Sequence, residues 1–263
     1  MRKTLLKGCV ILSLPCILFF SCKKSSTETS AQNEVSQAAL DKIFALGFSN
    51  KNVTMDEGDY IVEGDIRIPE SDLSSQPESQ FLRVGSEEQY RTFNLVQRVP
   101  RTITVSISSR ISQFAPALDE AIARYNAENL LIKFQRVSSG AEIEVVRGGG
   151  NYLASAGFPS GGNPYGQVKL NANAVAKQPL GTVASILAHE IGHCIGFRHT
   201  DYMNRSYSCG GQPVNEGSSS VGAVHIEGTP TGPDPNSWML SCIGSGQNRP
   251  FNANDKKALG VLY

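Results

Sequence analysis

The stretch His189-Glu190-Ile191-Gly192-His193-Cys194-Ile195-Gly196-Phe197-Arg198-His199 has the form H-E-x-x-H-x-x-G-x-x-H and holds three of the four histidines of this 263-residue chain. His189 and His193 have i, i+4 spacing, so on a helix both imidazoles leave the same face. That spacing suits two nitrogen ligands of one zinc ion. Gly196 ends the helix in a sharp turn, which returns His199 as a third ligand. Three nitrogen ligands leave the fourth position open, as in catalytic zinc sites.

Glu190 lies between the two helical histidines on a neighbouring face, where it approaches a metal-bound water without binding the metal. A zinc ion lowers the pKa of bound water and polarises a carbonyl group. A carboxylate placed there accepts the proton of the water as general base and later returns a proton to the leaving amine. The stretch therefore predicts hydrolysis of an amide bond, with Glu190 as catalytic residue and Zn²⁺ as cofactor.

From about residue 100 up to this stretch, the chain alternates between strand and helix patterns. Period-two alternation of apolar residues indicates strands, and i, i+3/i+4 spacing indicates amphipathic helices. The predicted order is β-α-β-β-β-β-α, an α+β fold in which a mixed sheet carries two helices and the second helix carries the histidines. The strands are predicted at residues 102–107, 130–134, 143–147, 152–156 and 167–171, and the helices at residues 114–125 and 179–194.

Little regular pattern follows His199, where glycine and proline residues mark turns. Residues 252–263 are predicted to form a short closing helix, with Asn252 or Asn254 as its N-cap. The C-terminal part is therefore predicted to be an irregular subdomain that forms the other half of a cleft.

The N-terminus has the pattern of an export signal, with a basic start and a short apolar run. Residues 18–22 resemble a bacterial lipoprotein signal, in which Cys22 becomes lipidated, although Phe19 stands where that signal prefers leucine. Ordinary secretion and an uncleaved anchor are the alternatives, and all three place the protein outside the cytoplasm, as a lipoprotein of the outer membrane or cell surface or as a secreted protein. The predicted organisation is a signal over residues 1–21, a polar tether over 22–33, a small N-terminal unit with its linker over 34–92 and a catalytic domain over 93–263.

Three of the six cysteines lie in the signal and three in the body of the protein. Export permits a disulfide, but three cysteines leave one unpaired. We favour Cys209–Cys242, which ties the segment after His199 to the segment around Met239. Cys194 is then a buried free thiol, and a bond between Cys194 and Cys209 is the alternative.

The composition, with 40% hydrophobic and 18% charged residues, is that of an ordinary globular protein. The formal net charge is zero, and no basic region suggests a nucleic-acid partner. We therefore expect a protein or peptide substrate, no nucleic acid, a membrane contact limited to the lipid anchor, and a monomer.

The extended histidine motif resembles that of the metzincin metallopeptidases, whose second mark is a methionine turn beneath the zinc ion. This chain supplies Ser237-Trp238-Met239-Leu240, in which Met239 lies 40 residues after His199. Within this clan, the chain is most similar to the bacterial protease-B-like HEIGH metallopeptidases. The similarity is strong from about residue 100 to the end and weak over residues 40–70. The matching segments are 189–193, 199–201, 207–211, 228–230 and 237–239, with 60–65 in the weaker part.

The resemblance implies a zinc-dependent metalloendopeptidase. It also implies that Met239 forms an apolar floor under the imidazoles, so that Met239 and Gly196 support the site without reacting. Some metzincins have a tyrosine two residues after the methionine that binds zinc or the oxyanion, but Ser241 stands there in this chain. Tyr202 and Tyr207 are candidates to replace it, and packing or surface roles are the alternative for both.

Two further polar residues near the motif have alternative interpretations. Asp201 either orients a histidine or caps a turn, and His225 is expected to pack in the cleft wall rather than to bind metal. An acidic side chain from residues 55–59 is a candidate to occupy the open zinc position, in which case the N-terminal unit is an inhibitory pro-segment. A solvated acidic turn is the alternative.

The sequence thus predicts a protease of extended, flexible segments, bound by backbone pairing to the edge strand of the sheet. Two other functions compete with this one: a non-catalytic surface lipoprotein with a zinc site, and a zinc hydrolase of cell-wall amide bonds. Glu190 argues against the first, because a closed structural site has no use for a free carboxylate beside the metal.

Overall fold

A computed structural model of the chain describes residues 35–46, 48–74, 89–215, 223–230 and 232–263. The predicted signal, the tether and Cys22 lie outside the described residues. Within the described ranges, no helix combines the length and the apolar character that crossing a bilayer requires.

The N-terminal unit, residues 35–74, is a helix packed on an antiparallel three-stranded meander. Ser36 caps the helix, because its Oγ accepts a hydrogen bond from the Ala39 N–H at 3.2 Å. Apolar residues from the helix and the strands, Ile43 and Val62 among them, form a core that belongs to this unit. The elements are α1 (Gln37–Ala45), β1 (Thr54–Asp56), β2 (Asp59–Val62), β3 (Ile66–Ile68) and a 3-10 helix (Glu70–Ser74).

The larger body, residues 89–263, alternates strands and helices up to the histidine motif and is then mostly irregular. Its first part contains β4 (Tyr90–Arg91), β5 (Arg101–Ile107), a 3-10 helix (Ser109–Phe114), α2 (Ala115–Ala127), β6 (Ile132–Arg136), β7 (Ile143–Arg147), β8 (Ala154–Ser155), β9 (Gln167–Leu170), α3 (Ala172–Val175) and α4 (Leu180–Cys194). Its second part contains α5 (Ser206–Cys209), β10 (Val224–His225) and α6 (Ala253–Leu262).

Five strands of the larger body form a mixed sheet in the order β6-β5-β7-β9-β8. All neighbours are parallel except β8, which runs antiparallel to β9 at the edge. Buried residues of helices α2 and α4 and of the sheet form one hydrophobic core, as expected when amphipathic helices pack on a sheet. The predicted α+β fold, with a mixed sheet and two main helices, is confirmed.

One strand lies two residues further along the chain than its apolar run predicts. The prediction places it at residues 130–134, whereas β6 spans Ile132–Arg136. Leu131 is 52% exposed, and its N–H donates to the carbonyl oxygen of the C-terminal residue Tyr263. Leu130 and Leu131 therefore belong to the turn that precedes the strand.

The edge of the sheet is covered by the N-terminal unit. Ile66 of β3 forms a parallel bridge with Ala156, which directly follows β8. The Arg67 N–H donates to Ala156 O at 2.7 Å, and the Ala156 N–H donates to Asp65 O at 3.1 Å. Both backbone hydrogen-bonding groups of Ala156 are therefore used within the chain.

Residues 89–92 pack on the larger body and not on the N-terminal unit. Strand β4 pairs with β10, and the Thr92 N–H donates to Gly196 O at 2.8 Å. The buried core of the larger body is drawn entirely from residues 96–263, so the two units have separate buried cores. Phe158 of the larger body packs against the core of the N-terminal unit. We place the start of the larger body at residue 89 for this reason.

Candidate metal centre

The ligand helix α4 orients two imidazoles through their Nδ1 atoms. His189 Nδ1 lies 2.9 Å from Trp238 O, and His193 Nδ1 lies 2.8 Å from Phe197 O. A carbonyl oxygen only accepts, so each Nδ1 carries the proton and donates it. Each Nε2 then keeps a lone pair, which is the form of histidine that binds a metal ion.

Gly196 turns the chain at the end of α4. Its φ of +111° is a conformation that L side chains rarely adopt, and a Cβ there would lie 2.7 Å from Leu95 Cδ2 and 2.8 Å from Asn94 O. The turn brings His199 back, so that its Nε2 lies 3.2 Å from His193 Nε2. The structure therefore brings the three predicted histidine ligands together.

Trp238 and Met239 lie against the ligand helix. Met239 is fully buried, and a Cβ on Gly192 would lie 2.6 Å from Met239 Sδ. Met239 O accepts from the Thr200 N–H at 2.9 Å, next to the third histidine. The segment thus packs on α4 and fixes the chain that leaves His199.

A fourth donor, Asp65 of the N-terminal unit, completes the centre. Ligand atoms of Asp65, His189, His193 and His199 all lie within 4.8 Å of one another. Asp65 Oδ1 is 3.2 Å from His199 Nε2, and Asp65 Oδ2 is 3.6 Å from His189 Nε2. Three imidazoles and one carboxylate are a donor set that suits a tetrahedral zinc ion.

Two buried atoms of this group have no hydrogen bond of normal geometry to any described residue: His189 Nε2 and Asp65 Oδ1. Buried polar atoms are rarely left without a partner unless an ion or a water satisfies them. These atoms point into the same donor group, so the residues present fit a zinc ion. Zinc is accordingly the cofactor of this site.

Burial and neighbouring charges shift the pKa of the groups around the centre. Burial lowers the pKa of His193 well below its usual range, and the nearby His189 and His199 lower it further. The neutral imidazole favoured in this way is the metal-binding form. Burial, followed by the charge of Asp65, raises the pKa of Glu190 well above its usual range. Burial also opposes ionisation of Asp65, but His199 and His189 hold its pKa well below the usual range.

The acidic turn expected to reach the metal position lies elsewhere. The sequence indicates residues 55–59 as candidates, but Asp56 and Asp59 both form ion pairs with Arg67. Glu57 pairs with Lys169 at 2.5 Å. The acid at the centre is instead Asp65, because the tight turn between β2 and β3 directs it there. Gly64 in that turn has a φ of +98°.

The remaining predicted site residues lie outside the donor group. Asp201 Oδ1 accepts from the Ser241 N–H at 2.9 Å and from Ser241 Oγ at 2.8 Å, and its Oδ2 accepts from Ser208 Oγ at 2.5 Å. Asp201 therefore joins the chain after His199 to the chain after Met239, and these bonds do not orient a histidine.

A cavity is lined by His189 and Glu190, and neither of the two candidate tyrosines is part of its lining. Tyr202 is buried and makes an edge contact with Tyr90 at 4.4 Å between ring centroids. Tyr207 is 42% exposed, and its hydroxyl donates to Pro233 O at 3.1 Å. Neither lines that cavity. His225 Nε2 lies 2.9 Å from Thr229 Oγ1, outside the donor group.

Two of the three body cysteines are joined. A disulfide links Cys209 and Cys242, and Cys194 is a buried free thiol. The bond fastens α5 to the chain that follows Met239. Cys22 lies outside the described residues.

The sequence patterns do not predict a role for three residues at the centre: Asp65, Glu63 and Arg198. Glu63 and Arg198 form a fully buried ion pair at 2.8 Å, which fixes the turn that bears Asp65 next to His199. One sequence signal was available, because Glu63-Gly64-Asp65 interrupts two apolar strands with two acids around a glycine. Charges at a tight turn between buried strands indicate a partner elsewhere in the fold.

Comparisons with solved structures give distant similarities. One structure of myroilysin has 16% identity and a TM-score of 0.42, and the match covers 64% of this chain and 95% of that chain. A second structure of myroilysin has 16% identity and a TM-score of 0.40, with 76% and 98% covered. High choriolytic enzyme 1 of the medaka fish Oryzias latipes, a hatching enzyme zinc-protease, has 19% identity and a TM-score of 0.37, with 70% and 98% covered.

A search of curated protein sequences finds no match. Residues 61–263, which include the complete donor group and the larger body, match the family described as dual-action HEIGH metallo-peptidase. The match begins in the N-terminal unit, before Asp65. The chain therefore belongs to the HEIGH metallopeptidases.

Proposed function

We propose that this zinc metallopeptidase is an endopeptidase in which Glu190 is the general base. The position of Glu190 carries the proposal, since it lies on α4 beside two imidazole donors, is buried, and lines a cavity together with His189. Zinc, when bound, supplies Lewis acidity that acidifies water and polarises a carbonyl group.

Glu190 moves the proton in this proposal. Its Oε2 is buried and has no hydrogen-bond partner among the described residues, so it is placed to accept a proton from the attacking water. The same carboxyl group then donates a proton to the nitrogen of the leaving amine. The three histidines hold the metal, and Asp201 and Met239 keep the surrounding chain in place.

The edge of the sheet supports an extended substrate. Ala156 follows the edge strand β8, and both its N–H and its C=O bond to an extended segment, residues 65–67. A peptide in the same place would gain the same backbone hydrogen bonds without any requirement on its sequence. Flexible or unfolded segments of proteins are therefore the proposed substrates.

The N-terminal unit holds this site in a latent form. Asp65 joins the three histidines in the donor group, and residues 65–67 bond to the sheet edge at Ala156. One short segment thus blocks both the metal and the substrate edge. We propose on this basis that residues 35–74 form an inhibitory pro-segment.

The four-donor arrangement also describes the rival function, a non-catalytic protein with a closed zinc site. A permanent fourth ligand is expected to belong to the same core as the other three. Asp65 instead belongs to a unit with a separate core. The separate core supports the view that Asp65 can leave the donor group together with its unit. Comparing the activity of the closed chain with that of opened forms tests this view.

The latency test compares the full chain with the same chain carrying Glu63→Ala and Asp65→Ala, which we term the opened chain. A chain beginning at residue 89 provides a second open form. Casein hydrolysis by both open forms should exceed that of the full chain by about tenfold or more, since a closed site excludes substrate. Equal rates in all three proteins would remove the pro-segment proposal.

The catalytic test replaces Glu190 in the opened chain. Glu190→Gln keeps the shape of the side chain and removes the proton acceptor, so casein hydrolysis should fall by about 100-fold or more. Zinc content, measured by elemental analysis, should remain one ion per chain, and chelation should abolish hydrolysis by the opened chain. Hydrolysis that persists in the Gln variant would exclude Glu190 as the base. Release of fragments from peptidoglycan but not from casein would favour the cell-wall amide hydrolase.

Export and lipid anchoring through Cys22 form a separate part of the proposal. The disulfide between Cys209 and Cys242 supports an oxidising compartment, where such bonds persist. Labelled palmitate should enter the chain and should be absent from a Cys22→Ser variant. Labelling of both proteins, or of neither, would contradict the anchor.

A further inference from the structure

A cavity of about 210 Å³ adjoins Glu190. His189 and Glu190 line it, together with Ile186 of α4 and with Leu240 and Ile243 from the segment after Met239. The cavity touches both a zinc donor and the proposed base. A substrate side chain adjacent to a scissile bond at Glu190 is therefore placed to enter this cavity.

Arg249 gives the cavity a fixed positive charge. The residue lines the cavity and is half-buried, and its Nη1 donates to Cys242 O at 3.0 Å. Its Nη2 lies 3.4 Å from Gln247 Oε1, and its backbone N–H donates to Ser185 Oγ at 2.8 Å. These contacts fix the guanidinium in place, but they all go to neutral groups.

No carboxylate in the described part of the chain forms a hydrogen bond or an ion pair with this guanidinium. Burial lowers the pKa of Arg249, and Asp201 and Asp255 oppose that shift only through space. Asp201 is already bonded to Ser241 and Ser208. A partly desolvated guanidinium with neutral neighbours gains free energy from an incoming carboxylate, because charge-assisted hydrogen bonds are the strong ones.

The remaining charged lining is mixed, because Arg205 and two acids, Glu190 and Asp65, also line the cavity. The opened chain lacks one of these acids, Asp65. Ile186, Leu240 and Ile243 add aliphatic surface to the same cavity, which suits the methylene groups of an acidic side chain. A substrate lysine would meet positive charge there.

We propose that Arg249 makes this peptidase select substrates with aspartate or glutamate adjacent to the scissile bond. The inference rests on the proposed function and adds a substrate class to it. The acidic side chain enters the cavity and accepts hydrogen bonds from the guanidinium, while the aliphatic walls contact its methylene groups.

The test uses the opened chain and fluorogenic peptides that differ only in the residue on one side of the scissile bond. Aspartate, glutamate, asparagine, glutamine and lysine are compared in turn on each side. On one of the two sides, kcat/KM for glutamate should exceed that for glutamine by about tenfold or more, as expected for a charge-assisted hydrogen bond. The higher kcat/KM of the glutamate peptide should come mainly from a lower KM.

Three variants of Arg249 separate charge from structure. Arg249→Gln should remove the preference for glutamate over glutamine, Arg249→Lys should keep part of it, and Arg249→Glu should favour the lysine peptide. Arg110→Gln, an exposed arginine in the 3-10 helix before α2, is the matched control and should keep the preference. Thermal unfolding of each variant identifies any that fails to fold.

The outcomes distinguish this inference from the proposed function. If neither the opened chain nor the chain beginning at residue 89 cleaves any peptide, the proposed function fails. If it cleaves acidic and neutral peptides equally, only the role of Arg249 fails. The role is also overturned if Arg249→Gln lowers the rates of all peptides alike and Arg249→Lys restores stability without selectivity, because Arg249 is then structural.

Discussion

Arg198 and Glu63 form an ion pair in which Nη2 of the arginine lies 2.8 Å from both carboxylate oxygens of the glutamate, and both side chains are fully buried. Arg198 directly precedes the ligand His199, and Glu63 lies two residues before Asp65. The ring centroid of Phe48, also from the N-terminal unit, lies 4.9 Å from the guanidinium carbon. The pair therefore joins the metal-binding segment to the N-terminal unit.

Removing the glutamate should loosen this junction. Glu63→Ala leaves Arg198 buried without its acidic partner, a change that costs about 3–5 kcal/mol in buried ion pairs. Urea unfolding should show this loss, and trypsin should cleave the N-terminal unit faster than in the wild-type chain. Glu70→Ala, at an exposed position of the same unit, is the control and should change neither measurement. Unchanged stability in Glu63→Ala would show that the pair does not hold the unit.

The disulfide should stabilise the irregular subdomain. Cys209 and Cys242 are 33 residues apart, and closing a loop of that length is worth about 3–4 kcal/mol in the chain-entropy description. A Cys209→Ser, Cys242→Ser double variant should lose about that amount in urea unfolding, and reductant should lower the wild type to the same level. Cys194→Ala should keep its response to reductant, since Cys194 is not paired. A double variant as stable as the wild type would contradict the prediction.

The ligand helix and the main strands can be predicted from sequence because their signals are local. Burial of one face gives period-two or 3.6-residue patterns within a single element. The prediction of a helix over 179–194 thus agrees with Leu180–Cys194 to within one residue. The histidine spacing is local in the same sense, because a helix converts sequence separation directly into geometry.

The position of Asp65 in the donor group could not be predicted in this way, because it depends on contacts between residues far apart in the sequence. Asp65 meets residues more than a hundred positions further along the chain, and no periodicity encodes that contact. Composition and position alone indicate the acid-rich turn at 55–59 as the source of an acid at the metal position. In the fold, Asp56 and Asp59 of this turn form ion pairs with Arg67, which lies on strand β3.

Gly192 should be intolerant of a side chain. It lies on α4 between the two helical ligands, and a Cβ there would lie 2.6 Å from Met239 Sδ and 3.2 Å from Trp238 Nε1. Both neighbours are buried and cannot move freely, so Gly192→Ala should cost about 1–3 kcal/mol as overpacking. Urea unfolding and competition with a zinc chelator should show lower stability and weaker metal binding.

Gly260 provides the matched control for this substitution. It lies on α6, is exposed, and a Cβ added there would meet no described atom within 4 Å outside its own helix backbone and its chain neighbours. Gly260→Ala should leave zinc binding unchanged and raise stability by up to about 1 kcal/mol, which is the helix preference of alanine over glycine. Equal effects of the two substitutions would show that the contact with Met239 is unimportant.

Asp255 should make the stability of the fold depend on pH. It completes the capping box of α6, where its Oδ2 accepts from the Asn252 N–H at 2.9 Å and from the Trp238 N–H at 3.1 Å. Its Oδ1 accepts from Gln89 Nε2 at 2.8 Å. Burial nevertheless raises its pKa from 3.8 to about 6, because these hydrogen bonds offset the loss of hydration only in part.

The sign follows from proton uptake. Between pH 3.8 and about 6 the folded protein keeps a proton on Asp255 that the unfolded chain has released, so stability falls as the pH rises through this range. Relative to an Asp255→Asn variant, which does not titrate, the wild-type free energy of unfolding should fall by about 2 kcal/mol from pH 4 to pH 7. Urea unfolding of both proteins across this range measures the difference, in which the contributions of other groups cancel. A difference that stays constant, or that grows with pH, would mean that the three hydrogen bonds outweigh burial and that Asp255 is ionised in the fold throughout.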